Sequence, residues 1–239
     1  MEPVPALWLT FLVAALLHTS AGFGAALVAM AALVPIIGLA TAAPLVALVV
    51  MTLQILIALR YRDKLAFGTL RPLLLALIVG TPIGIWSAVW LSEEILLTLL
   101  GLLILAYVMI NVIGMRQVRV DARRRWGFLI GVLAGTLSGA YNVGGPLIVM
   151  YLQARGYAPD LFRANLQAAF IAGTLFVLVG HFLRGTFTVQ VFEYYALALP
   201  AIALGFGAGL LLARRIPLAL FRTVVLALLT VLGLQLLLR

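Results

Sequence analysis

Most of this chain runs in long stretches without a charged residue, so a water-soluble surface cannot be built from it. There are eight such stretches, at residues 6–38, 43–59, 72–91, 95–115, 126–153, 164–183, 194–213 and, interrupted by Arg222, 216–238. Each is about as long as the ~20 residues that an α-helix needs to cross ~30 Å of hydrocarbon. Because the stretches are continuously apolar rather than alternating, helices are favoured over a β-barrel. The sequence therefore predicts an all-α polytopic membrane protein with about eight hydrophobic segments.

The charged residues agree with this prediction. Only 10% of the residues are charged, about half the share of an ordinary soluble domain. The net charge is +9, but the 16 Lys and Arg residues lie mostly in short loops, where they set orientation in a membrane and do not indicate a nucleic-acid partner. The chain has no cysteine, which excludes disulfides and thiolate metal sites. The first segment lacks a basic flank and a cleavage pattern, so we expect mature structure rather than a signal peptide.

Two of the eight stretches, 6–38 and 126–153, are too long for one ordinary span, and glycine-rich sequence interrupts each near its middle. Each could be a single tilted span or a re-entrant hairpin of two half-helices. The hairpin interpretation places 14 of the 16 Lys and Arg residues on the cytoplasmic side, all except Arg184 and Arg239. Because cytoplasmic loops carry an excess of basic residues, the hairpins are favoured.

With two hairpins, each half of the chain becomes a hairpin followed by three spans. Three is odd, so the halves have opposite orientations, as in the inverted repeats of many secondary transporters. The predicted organisation is a first membrane repeat at 1–115, a basic cytoplasmic linker at 116–125 and a second repeat at 126–239. Weak internal similarity supports it: Ala76, Gly80, Gly84 and Thr98 recur 125 residues later as Ala201, Gly205, Gly209 and Thr223, and Gly24 and Leu27 recur 120 residues later as Gly144 and Leu147. For the glycine pairs we prefer the simpler interpretation of close helix packing.

The two interruptions are the best candidates for a binding site. Glycine permits a positive φ and close approach to a ligand, and Pro146 fits the first turn of a helix that begins at the break. A half-helix that starts there directs its free N–H groups and positive dipole end toward the membrane interior, which favours an anion. If the two tips meet near the midplane, the substrate-binding residues are Thr19, Ser20, Gly22, Phe23, Gly24, Ser138, Gly139, Tyr141, Asn142, Gly144, Gly145 and Pro146. The alternative is that these residues only cap and pack the turns.

Four further polar residues could line the pathway or couple an ion. His18 could carry a proton or bond to a neighbouring carbonyl. Gln54 and Gln167 could line the pathway or form interhelical hydrogen bonds. Arg163 could attract anions or snorkel to the interface as a membrane anchor.

The positions of the acidic residues favour an anionic substrate, and the lack of catalytic motifs argues against an enzyme. All seven acidic residues fall at segment ends or in loops, whereas cation and proton pathways usually keep a carboxylate inside the membrane. No catalytic or nucleotide-binding motif is present, and neither a metal site nor a cofactor is predicted.

The second interruption and its flanks resemble a known family. Asn142-Val143-Gly144-Gly145-Pro146, followed by Tyr151-Leu152 and Phe162-Arg163-Ala164, resembles the second-half signature of the TauE/SafE family of sulfite and organosulfonate exporters, and Gly22-Phe23-Gly24 resembles the first-half motif. The resemblance implies a multi-pass permease of the cytoplasmic membrane for a small sulfur-containing anion such as sulfite or sulfoacetate. An anion channel and a non-transporting membrane scaffold are the alternatives. The oligomeric state is left open, with a homodimer among the options.

Overall fold

The structure of the protein, a computed structural model, describes residues 4–65, 67–90, 92–113, 124–155 and 157–212, together with 223, 226–227, 230–231, 233–234 and 237–238. Within these residues the regular structure is helical throughout and includes no strand. The helices are α1 (Val4–Ala21), α2 (Ala25–Ile37), α3 (Leu39–Tyr61), a 3-10 helix (Arg62–Lys64), α4 (Phe67–Trp90), α5 (Glu93–Val112), α6 (Arg124–Tyr141), α7 (Gly145–Ala154), α8 (Pro159–Leu183) and α9 (Val189–Leu212).

The helices follow the uncharged stretches of the sequence closely. Each of the two long stretches is divided into two helices, with breaks at 22–24 and 142–144, where the glycine-rich motifs lie. The other stretches up to residue 212 each form one helix. The basic linker predicted at 116–125 lies mainly outside the described residues, as does most of the last stretch.

Some of the described helices have the length and surface of membrane spans. Five are long and apolar enough to cross a bilayer: Val4–Ala21, Leu39–Lys64, Leu70–Ser87, Asp160–Leu183 and Val189–Leu212. Large apolar side chains also lie on their outer faces, as in Trp86 and Trp90 near the end of α4, which are 68% and 74% exposed. Exposed tryptophans at a helix end are typical of a membrane interface. The chain is therefore an all-α, multi-pass membrane protein.

The chain forms two compact units, and both halves of the sequence contribute to each. The first unit comprises residues 1–49, 91–116 and 186–239, and the second comprises 50–90 and 117–185. Helix α1 packs against α2 and α9 in the first unit, whereas α4 packs against α6 and α8 in the second.

Glycine brings α4 and α6 into backbone contact in the second unit. A Cβ atom added at Gly80 would overlap the carbonyl of Val132, and one added at Gly84 would overlap the carbonyl of Thr136. Small residues allow helices in lipid to approach this closely, where dispersion contacts replace the missing hydrophobic driving force.

Helix α6 contributes glycines of its own to the same contact. A Cβ atom at Gly135 would lie 2.8 Å from the backbone nitrogen of Thr81 and 2.9 Å from the carbonyl oxygen of Leu77, and one at Gly139 would overlap the carbonyl of Thr81. In the α4–α6 contact, the backbone of each helix therefore lies directly against the backbone of the other.

The α1–α9 contact of the first unit has the same pattern. Gly205 of α9 lies against the carbonyl of Leu12, and a Cβ atom at Gly209 would lie 2.9 Å from the carbonyl oxygen of Leu16. Gly205 and Gly209 follow Gly80 and Gly84 by 125 residues, and their partners on α1 precede those on α6 by 120. The close packing that we expected for both glycine pairs is thus present in each unit.

Candidate functional site

The first tip is a left-handed helix end followed directly by a new helix. Gly22 has a φ of 86°, and its N–H donates to the carbonyl of His18 over 2.7 Å between nitrogen and oxygen. A residue with positive φ whose N–H bonds four residues back is the αL cap of a helix. Gly24, with a φ of 104°, is the N-cap of α2, and no side chain caps that terminus.

The second tip repeats this backbone with a different residue type. Asn142, which follows Gly22 by 120 residues, has a φ of 59°, and its N–H donates to the carbonyl of Ser138 over 2.9 Å. Asparagine is the residue other than glycine that most often accepts this conformation. Asn142 therefore has a structural reason to occupy this position, in addition to any contact that its amide makes with a ligand.

The second glycine of each tip is required for a different reason. At Gly24 the positive φ demands glycine, although a Cβ atom there would meet nothing within 4 Å. At Gly144, 120 residues later, φ is not positive, but a Cβ atom would overlap both the carbonyl of Ala134 and the hydroxyl of Ser138. The first tip is thus open beside its glycine, whereas the second is packed onto α6.

Helix α7 returns along α6 after the second tip. Gly144 lies beside Ala134 and Ser138, and further on the Tyr151 hydroxyl lies 2.6 Å from the position of a Cβ atom on Gly127. As the residue numbers rise along α7, those of their partners on α6 fall. The two helices therefore form an antiparallel hairpin.

The polar residues of the first tip differ in how their hydroxyl groups are used. Ser20 is buried, and its hydroxyl donates to the carbonyl of Leu16 at 2.6 Å, so its proton is directed into its own helix. Thr19 is half-buried; its Oγ1 is buried without a hydrogen-bond partner, and its Cβ lies near Gly209. His18 is buried, and its backbone carbonyl accepts the capping bond. In this tip, Thr19 is the hydroxyl with an unused donor.

The residues predicted at the second tip fall into two groups. Ser138 lies at the tip, beside Gly144, and Gly145 is in ordinary contact with Phe170. Gly139, in contrast, faces α4 and serves the helix contact described above. The structure describes the backbone of Tyr141 and Pro146 but not their side chains. The two tips belong to separate units, and a site shared between them stays a prediction.

Among the described residues of the second unit, three side-chain amides are buried. Gln54 in α3 and Asn165 and Gln167 in α8 are each at most 3% exposed, and Oε1 of Gln54 has no hydrogen-bond partner. The part of the chain that the structure describes buries no carboxylate, guanidinium or ammonium group, and none of its His and acidic residues cluster as metal ligands would.

Arg163 is held by a residue that the sequence did not point to. Its Nη1 donates to the Tyr61 hydroxyl at 2.8 Å, and its guanidinium carbon lies 5.7 Å from the centre of the Tyr61 ring. The contact joins the end of α3 to the start of α8, over 102 residues of sequence, and no local motif indicates it.

The glycine surface of α6 could have been predicted from the sequence, because Gly127, Gly131, Gly135 and Gly139 recur at every fourth residue.

Alanine substitutions at Gly144 and Gly145 test whether the packing of the second tip excludes a side chain at Gly144. Gly144→Ala is expected to destabilise the protein by roughly 1–3 kcal/mol, because its Cβ overlaps α6. Gly145→Ala is the matched control, since its Cβ would lie 3.5 Å from Phe170, an ordinary contact. Thermal unfolding of the two purified variants measures the difference. Equal melting temperatures would contradict the packing described for this tip.

Comparison with known proteins identifies one family. The family described as Sulfite exporter TauE/SafE matches residues 7–236, which is nearly the whole chain. The comparisons with curated proteins and with solved structures gave no match.

Proposed function

Because the chain belongs to the sulfite exporter TauE/SafE family, we propose that it is a permease that moves a small sulfur-containing anion across the cytoplasmic membrane. Sulfite and organosulfonates such as sulfoacetate are the proposed substrates. The family consists of membrane transporters and not of enzymes. The observation that carries the proposal is the match over 7–236, which includes both helix breaks.

The buried polar groups support an anion. The buried polar side chains in the described residues are Thr10, His18, Ser20, Gln54, Thr81, Asn165 and Gln167, and none of them is acidic. The acidic side chains that the structure describes are all exposed, namely those of Asp63, Glu94, Asp160 and Glu193. A site for a cation would need a buried carboxylate or several converging carbonyl groups. Neutral donors and backbone N–H groups suit an oxyanion better.

The proposed site is made by the two tips. Helices α2 and α7 begin at the breaks, and the first N–H groups of a helix have no partner within it. These groups and the helix dipole would hold the negative oxygens of the substrate. Thr19, Ser138 and Asn142 would add side-chain contacts, and Phe23 and Val143 supply the second residue of each break.

The helix lengths are compatible with tips near the midplane. Helices α1 and α6 have 18 residues each and are therefore about 27 Å long. The whole bilayer with its headgroups is ~40–45 Å thick, so its midplane lies ~20–22 Å below the headgroup surface. A helix of this length that begins at that surface ends at the midplane when it is tilted by roughly 35–40°, which lies at the upper end of the usual range.

Transport in this proposal follows alternating access. The sequence halves 1–115 and 126–239 are inverted repeats, and each supplies one hairpin tip to the anion site. Movement of one hairpin-bearing part relative to the other would expose the bound anion to each side of the membrane in turn. Gln54, Gln167 and Arg163 would line its route, and the oligomer would be a homodimer.

Substrate binding and flux test the proposal. In proteoliposomes we expect saturable sulfite or sulfoacetate flux with counterflow, whereas a channel would show neither. In detergent, the transported anion at 100 times its Kd is expected to stabilise the protein by about 2.7 kcal/mol. Taurine, sulfate and chloride are the comparison ligands. Absence of both flux and stabilisation for all the sulfur anions would reject the transport function and favour the scaffold.

A further inference from the structure

An apolar groove lies between α3, α4 and α8 in the second unit. Its volume is about 470 Å³. Ile55 and Leu59 of α3 form one wall and Ala164, Ala168 and Ala172 of α8 the other. The groove exists because the alanine side chains of α8 are small and the larger side chains of α3 do not fill the space beside them.

The groove is elongated and open to the surroundings of the helices. From Ala164 to Ala172 it follows α8 for about 12 Å. Ile55 and Leu59 are 44% and 60% exposed, so the groove opens onto the outer face of a predicted span. In a membrane, that face meets lipid. A groove of this shape and chemistry fits an extended hydrocarbon chain.

One end of the groove is polar and basic. Tyr61 and Arg62 line that end, and Tyr61 also lines a second cavity of about 390 Å³ together with Arg60, Asp63, Lys64 and Asp160. Arg60, Arg62 and Lys64 outnumber the two aspartates there. The ion pair between Arg62 and Asp63 joins exposed side chains at 3.8 Å and therefore neutralises little.

Arg163 adds a further positive charge beside this end, through its hydrogen bond to Tyr61. With Arg163 the net formal charge of the cluster is +2. Basic residues next to a groove between membrane helices are suited to an anionic lipid headgroup.

We propose that this groove binds an anionic phospholipid. One acyl chain lies along α8, and the phosphate lies against Arg60, Arg62 and Lys64. A net negative headgroup is required, because the phosphate of a zwitterionic lipid is offset by its own ammonium group. This site does not depend on the identity of the transported anion.

Lipid binding to the full chain tests the headgroup part of the proposal. Delipidated protein in detergent is titrated with phosphatidylglycerol and with phosphatidylcholine of the same acyl chains, and bound lipid is counted by native mass spectrometry. We expect phosphatidylglycerol to bind at least roughly ten-fold more tightly, since each basic residue near an anionic headgroup contributes roughly five-fold. Equal affinities would overturn the proposal.

Charge variants separate a defined site from a general surface potential. Arg60→Gln/Arg62→Gln/Lys64→Gln is expected to abolish the preference, and Asp63→Asn to strengthen it. Arg184→Gln is the matched control, because Arg184 is an exposed basic residue at the opposite end of α8. If the control lowers phosphatidylglycerol binding as much as the triple variant does, the assigned site is wrong.

Two groove variants test where the acyl chain lies. Ala168→Trp fills the groove, and Leu59→Asn places an amide in its wall at a position that is 60% exposed and lies close to the end of α3. Each is expected to weaken phosphatidylglycerol binding at least roughly four-fold, which is the loss expected when the burial of one CH₂ group is removed. Unchanged binding in a folded Leu59→Asn protein would overturn the groove assignment.

Discussion

Gly205→Ala is expected to destabilise the protein by roughly 3 kcal/mol, because its new methyl group overlaps the backbone of α1 and cannot rotate away. A Cβ atom there meets the carbonyl of Leu12 and lies 2.8 Å from the Cβ of Ala15, so the two helices must separate. Separation removes dispersion contacts along the whole crossing, and these contacts hold helices together in lipid. Thermal unfolding of the purified protein in detergent measures the loss.

Gly207→Ala is the matched control for this change. Gly207 lies in the same helix two residues further on, and a Cβ atom there has nothing within 4 Å. We expect no loss of stability and a gain of roughly 0.5–1 kcal/mol, because alanine favours the helix over glycine. Gly84→Ala should repeat the effect of Gly205→Ala in the second unit. If Gly205→Ala and Gly207→Ala unfold at the same temperature, the α1–α9 contact is not as close as described.

Asn142→Gly is expected to reduce sulfite or sulfonate transport by about 10–100-fold without a comparable loss of stability. Glycine accepts the φ of 59° at this position, so the αL cap of α6 is retained and only the amide is removed. A hydrogen bond to a charged ligand contributes about 1.5–3 kcal/mol, which corresponds to the stated range. Proteoliposome flux and the anion-dependent melting temperature provide the two readouts.

Asn142→Leu separates the two roles of this residue. Leucine loses the amide and also adopts a left-handed conformation at a cost of about 1–2 kcal/mol. It should therefore lower both stability and transport, whereas Asn142→Gly lowers transport alone. Normal transport by Asn142→Gly would show that Asn142 only caps the helix, and would remove it from the proposed site.

Much of the architecture was predictable because membrane insertion depends on local composition. A span requires about 20 apolar residues, and in the described residues the helices coincide with the uncharged stretches. The breaks at 22–24 and 142–144 were also predictable, since glycine and asparagine are the residues that end a helix in the left-handed region.

The candidate site was predictable only as a set of sequence positions. Sequence grouped Gly139 with the tip residues, but in the structure it faces α4, because its direction depends on where α4 crosses α6. The hydroxyl proton of Ser20 is directed back to Leu16, which a list of polar residues cannot reveal. The partner of Arg163 is Tyr61, and a contact over 102 residues leaves no local trace.

The sequence alone determined that this chain lies in a membrane, where its helices break, and the family to which its motifs point. These properties follow from charge, apolar length and backbone preference, each of which is set by neighbouring residues. Tertiary structure alone decided which residues of α6 and α7 lie side by side, that Gly24 is required by its positive φ and Gly144 by the lack of space for a side chain, and that the glycine pairs contact α1 and α6. These outcomes depend on which distant helix packs against each glycine, and the spacing of residues along the sequence does not specify that helix.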